Sequence, residues 1–186
     1  MVLPGLGNNS EDYAPLAAAL RARGLVVEVA PVKRLDWARN ASGLRYSAYW
    51  RGTLQPRPTV DWYLERVGAA AGAARSAAGE GAPLTLLAHS AGGWLGRLFM
   101  LEDRADVDRF VSLGSPHLPP PPGVVDQTRG ILTWVDQACP GAFHEGVQYV
   151  TVAGKYLQGA PLLGPGAWQQ RIVGAGYQQV RAGVRG

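Results

Sequence analysis

Cysteine is almost absent from the chain. Cys139 stands alone among 186 residues, which excludes an internal disulfide and any cysteine-based metal site. Lysine is nearly missing as well: Lys33 and Lys155 are the only two, so the net charge of +4 is carried by arginine. The arginines are scattered rather than blocked, a pattern that favours solubility and attraction to anionic surfaces and offers no specific nucleic-acid site. No hydrophobic run reaches the length of a membrane span, and the first residues lack the charged-then-apolar order of a signal peptide. The three histidines have no ligand spacing and no H-E-x-x-H segment is present, so neither a metal nor another cofactor is expected. What is abundant is glycine, 25 residues, and proline, 14, against 47% hydrophobic residues. That mixture predicts one core cut by many turns, a single domain over 1–186.

The most informative stretch is Leu84 to Arg97, LTLLAHSAGGWLGR. A short apolar run, Leu84 to Ala88, breaks at His89-Ser90-Ala91-Gly92-Gly93, and Trp94, Leu95, Leu98 and Phe99 resume at helical spacing. Strand, sharp turn and helix follow. Ser90 stands at the turn with small residues, Ala88 and Gly92, two positions away on either side. A nucleophile elbow needs that arrangement, because the serine sits in a strained conformation where bulky neighbours would collide with the backbone. The hydroxyl would then stand above the sheet edge at a helix N-terminus, where the Ala91 N–H can meet the oxyanion of a tetrahedral intermediate.

Elsewhere, strands and helices alternate. Met1 to Leu3 opens a strand that runs into Pro4-Gly5-Leu6-Gly7-Asn8-Asn9-Ser10. Ser10 is placed to cap a helix carrying Tyr13, Leu16, Ala17 and Leu20 on one stripe. Leu25 to Val32 reads as a second strand, and about 34–57 as an irregular insert concentrating Trp37, Tyr46, Tyr49 and Trp50. Such an insert is either a lid or pocket wall, or a loop anchored to the body by its aromatic rings. Thr59 is placed to cap a helix with Val60, Leu64, Val67, Ala71, Ala74 and Ala78 in phase. Val107 to Leu113 and Val147 to Val152 read as strands, Val124 to Ala138 and Ala167 to Val180 as helices. The alternation predicts an α/β fold, a mainly parallel sheet flanked by helices in three layers. Ligands in such sheets bind at the carboxyl ends of the strands, where the Gly5, Ser90 and Gly114 loops fall.

The Gly5-Leu6-Gly7 loop has two readings. With Glu28 downstream it resembles the start of a dinucleotide fingerprint, although Ser10 holds the third glycine position. Alternatively it supplies the second oxyanion donor, the Leu6 N–H, which also accounts for the elbow.

VLPGLGNNSEDY, LLAHSAGGWLGR and VSLGSPH together resemble an α/β-hydrolase of the lipase and esterase type, similar to plant and algal α/β-hydrolases related to GPI inositol-deacylase-like lipases. The resemblance implies hydrolysis of carboxylic esters, of lipid or other hydrophobic acyl groups, through an acyl-serine. Ser90 matches the nucleophile, and Leu6 and Ala91 the oxyanion hole. It implies no cofactor, an ester substrate with peripheral membrane-surface contact, and a plastid or cytoplasmic address. The family's triad runs serine, acid, histidine, with the histidine after the last strand. The expected early strands and late acid and histidine are not found here, so the chain is expected to be a fragment, incomplete at both ends.

Of the histidines present, His89 adjoins the serine and points away from its Oγ in an elbow, as a packed, hydrogen-bonded neighbour. His117 is expected to stabilise its loop or line the pocket. Only His144, with Asp126 or Asp136 before it, keeps the required chain order. The contrasting expectation is a catalytically impaired hydrolase that retains a pocket and acts as a binding module.

Overall fold

The computed structural model describes residues 1–79, 81–103, 106–120 and 125–154. Its organising strand is β2, Leu84–His89, in which Leu84, Leu86 and Ala88 are buried while Thr85, Leu87 and His89 alternate to the other face. β1, Val2–Leu3, lies parallel on one side of it. β3, Val107–Leu113, and then β4, Gln148–Val152, lie parallel on the other. The register pairs Leu3 with Ala88 and Leu86 with Phe110, so these side chains share one face.

Helices cover both faces. On the first, α3 (Asp61–Ala78), α4 (Ala91–Glu102) and α5 (Ile131–Ala138) join Leu3, Leu86, Ala88 and Phe110 in the main core. Leu86, Leu95 and Leu98 are wholly buried there, and each such side chain contributes about 2 kcal/mol by leaving water. On the second face α1, Ala14–Arg21, lays Ala17 beside Val2, Tyr13 and Val27. The result is an α/β fold with an all-parallel sheet between helical layers. Among the described residues no helix is long and apolar enough to cross a membrane.

Four expectations need correction in detail. Leu25 to Val32 forms no strand of its own: Val29 makes a single parallel bridge to Val2, through Val2 N–H to Glu28 O and Ala30 N–H to Val2 O. β1 is too short to extend the ladder, and the Val32 amide is taken by Ser10 Oγ. Ser10 therefore ties the loop to this segment, accepting that amide and lying within bonding distance of Ala30 O and Val32 O. The cap belongs to Asn9, which exchanges bonds with Asp12 at 3.0 Å each way and opens a 3-10 turn, Ser10–Tyr13, before α1. Thr59 likewise caps nothing. α3 begins at Asp61 after Val60, and Thr59 Oγ1 is buried without a hydrogen-bond partner among the described residues. α5 starts at Ile131, because the chain before it is held in a turn ending at Gly130, φ 112°. Val124 and the helix expected over Ala167 to Val180 lie outside the described residues.

The insert is less irregular than its sequence. It consists of 3-10 turns over Arg34–Arg45 and a short helix α2, Ser47–Arg51. α3 anchors it: Arg66 forks onto the Asp36 carboxylate, and Trp62 Nε1 donates to Asn40 Oδ1 at 2.9 Å. The guanidinium of Arg66 holds the Asp36 carboxyl below its ordinary pKa. Trp37 packs edge-on against Trp62 with centroids 5.1 Å apart.

Candidate active site

The sharpest feature of the sheet's carboxyl edge is backbone strain at Ser90. Between β2 and α4 its dihedrals are φ 51° and ψ −121°. For a residue with a side chain this region costs on the order of 1–3 kcal/mol and persists only where the surroundings over-determine it. They do so here. The Ser90 N–H donates to Leu113 O at 2.9 Å, and its carbonyl accepts Gly93 N–H at 2.9 Å. Ala88 has no exposed surface at all.

Glycines allow the rest of the turn to close. A Cβ on Gly92 would lie 2.5 Å from Leu3 O, one on Gly93 2.3 Å from Ser115 Oγ, and one on Gly96 2.9 Å from Leu3 and Phe110. The helix N-terminus can therefore rest on the β1 backbone and against the Ser115 and Phe110 side chains only because these glycines carry none.

The loop after β1 comes equally close. A Cβ on Gly5 would lie 2.9 Å from Ser90 Cβ and 3.0 Å from His89 Nδ1, so the Gly5-Leu6 peptide passes directly beside the serine. Two tyrosines hold it there. Tyr13 Oη accepts the Gly5 N–H at 2.9 Å, and Tyr63 Oη, fully buried, donates to Pro4 O at 2.8 Å. The amides of Leu6 and Ala91 have no acceptor among the described residues. Leu6, Ser90 and Ala91 all line one cavity of about 460 Å³. Its other walls include Trp37, Tyr49, Leu54, Trp94 and Ile131, so the insert supplies pocket wall and anchored ring together.

The three histidines occupy different places. His89 Nδ1 shares a 2.7 Å hydrogen bond with Tyr13 Oη on the far face of the sheet, and burial lowers its pKa. It is the packed neighbour expected. His117 Nε2 is bonded to the buried Ser112 Oγ at 2.8 Å, and its carbonyl accepts from Arg97 Nη1. Burial, and then the Arg97 charge, push its pKa down to about 4. His144 lies in the loop before β4, its N–H directed to Tyr149 Oη at 3.3 Å.

The acids are similarly committed. Asp126 accepts from Thr128 N–H, Thr128 Oγ1 and Gly130 N–H at 2.7–2.8 Å. Asp136 lies 3.6 Å from Arg97 Nη2. Neither a histidine nor a carboxylate is among the described residues that line the cavity. Around the Gly5-Gly7 loop, the first amides of the following turn are bonded within the Asn9–Asp12 box, and the Asp12 carboxylate sits where a pyrophosphate would need open N–H groups. Among the described residues no three acidic, histidine or cysteine side chains converge on a metal position.

Sequence reasoning missed Tyr13 and Tyr63, which hold the Pro4-Gly5 loop, and the turn at 126–130. Tyr13 was legible only as a member of an apolar helical stripe, and Tyr63 was not singled out. The one usable signal for the turn was the Asp126-Gln127-Thr128 run ahead of Gly130. A scan against models of protein families and a search of curated proteins find no match to the chain.

Proposed function

We propose that the chain is a serine hydrolase of carboxylic esters with hydrophobic acyl groups. The observation that carries this reading is the Ser90 backbone, held at positive φ between strand and helix, with a largely apolar cavity beside it and two amides unbonded among the described residues. In the proposed reaction Ser90 Oγ bonds to the acyl carbon, and the carbonyl oxygen takes up negative charge facing the Leu6 and Ala91 N–H groups. The C–O bond to the alcohol breaks, and the alcohol leaves with the serine's proton. Water then hydrolyses the acyl-serine, restoring the hydroxyl and releasing the acid. Trp37, Tyr49, Leu54 and Trp94 would cover the acyl chain.

A second reading, a pocket that binds without turning over, is favoured by the structural bonds that occupy His117, Asp126 and Asp136. An oxyanion hole and binding without a base retain about 10³-fold catalysis over water in studied triads. The two readings part at the serine. A fluorophosphonate should label the full chain and fail to label Ser90→Ala; a binding pocket alone leaves both chains unlabelled.

A further inference from the structure

Arg129 is the one charged side chain among the described residues lining the Ser90 cavity, and nothing in the proposed reaction uses it. Its position is unusually constrained. The backbone is left-handed, φ 57°, and followed by Gly130 at φ 112°. A Cβ on Gly130 would lie 2.5 Å from Gly52 O and 2.7 Å from Leu54 N, so this turn presses directly on the end of α2. Leu54 N–H donates to Arg129 O at 2.8 Å, closing the contact. Both oxygens of the Asp126 carboxylate serve the turn's own donors, 2.7–2.8 Å away.

The guanidinium lies over the Tyr49 ring, 4.9 Å from its centroid. That contact holds the cation against the ring, and its N–H groups make no hydrogen bond among the described residues, which leaves them for another group. None of the ion pairs among the described residues includes it. A left-handed backbone thus presents a cation held against Tyr49, unpaired with any carboxylate among the described residues, in the wall of an otherwise largely apolar cavity.

We propose that Arg129 is a specificity residue that receives an anionic group, carboxylate or phosphate, of the substrate, so that the preferred esters carry a negative charge as well as an apolar chain. This rests on the ester-hydrolase reading and goes beyond it by setting the substrate class. A guanidinium fork suits both anions bidentately. Set in a partly dry wall, it discriminates charged from neutral ligands more strongly than a solvated arginine would.

The test is binding of hexyl phosphate, hexanoate and hexanol to the full chain, followed by the fluorescence of the cavity tryptophans, in wild type, Arg129→Asn and Arg129→Lys. Asparagine tolerates the left-handed backbone, and lysine keeps the charge without the planar stack. At least one anion should bind about tenfold or more tightly than hexanol, a difference of about 1.4 kcal/mol. Arg129→Asn should abolish that difference while hexanol binding stays, and Arg129→Lys should restore part of it. Whichever anion gains more identifies the group. The proposal is overturned if hexanol binds as tightly as both anions, or if Arg129→Asn keeps wild-type selectivity, as it would were the Leu6 and Ala91 amides the anion's only partners. Failure of the hydrolase reading shows separately, as an unlabelled Ser90 in a chain that still selects anions through Arg129.

Discussion

The two sides of the Ser90 cavity are built differently. On the elbow side four glycines crowd the serine: Gly5, Gly92, Gly93 and Gly96 sit where a Cβ would come within 3.0 Å of a neighbour, Gly92 against the Leu3 backbone and the others against side chains. Opposite, one such glycine, Gly130, closes on the Gly52–Leu54 backbone, and the rest of the wall is assembled by side chains, with Asp126 bonding its own turn, Arg129 over Tyr49, and Trp37 against Trp62. Ser90 and the two amides beside it, which in the proposed reaction meet a small reacting group, are placed by close approaches that leave little room for adjustment. A surface that only has to suit a ligand's shape and charge is placed mostly by contacts that can be adjusted.

The largest expected effect is on the rigid side. Gly92→Ala puts a methyl 2.5 Å from Leu3 O, and α4 must move off β1, at about 3 kcal/mol. Urea denaturation should show the unfolding free energy falling by that amount, with a lower midpoint. A fully stable Gly92→Ala chain would break the distinction between the two walls.

The next effect is on acid stability, through His117 beside the elbow. An unfolded histidine titrates near 6.5, whereas the folded one is pushed down to about 4. As pH falls through 6.5 the unfolded chain binds a proton that the folded chain refuses. The histidine's contribution is therefore complete above 6.5, is lost between there and about 4, and changes no further below. The loss is on the order of 2–3 kcal/mol. Denaturation midpoints measured from pH 7 to 4 should fall in wild type, and less in His117→Gln.

Smallest is Tyr13→Phe, which removes the acceptor of the Gly5 N–H and the partner of His89 Nδ1. It should cost about 1–2 kcal/mol and, on the proposed function, slow acylation of Ser90 several-fold by loosening the Gly5 loop. An unchanged acylation rate would show that Tyr63 alone positions that loop.

The same division governs how much could be read in advance. The elbow was legible because everything about it is local: an apolar run, a switch to helical spacing, and small residues around Ser90 all lie within Leu84 to Arg97. β3 was legible for the same reason, as Val107–Leu113 matches its apolar run. Misreadings arose where one residue type serves two local structures. Asn9 and Ser10 both suit an N-cap, and distant carbonyls at Ala30 and Val32 claimed the serine. Thr59 precedes a helix, yet its hydroxyl was buried by packing instead of capping.

Of the opposite wall only the aromatic insert was legible, with Trp37 and Tyr49 read as pocket wall or anchor; the residues they meet were not. The stacking of Arg129 on Tyr49 joins residues 80 positions apart. Tyr13 and Tyr63 reach the Gly5 loop across the sheet, from α1's entry and from α3. No short-range pattern records such contacts.

The central claim is that the strained residue at the end of β2 is a nucleophile facing that cavity. It is tested most directly by the intact mass and peptide map of the full chain after exposure to a fluorophosphonate. The account predicts one adduct, on the peptide containing Ser90, and none in Ser90→Ala. An unmodified wild-type chain, or an adduct of equal yield in Ser90→Ala, would contradict it.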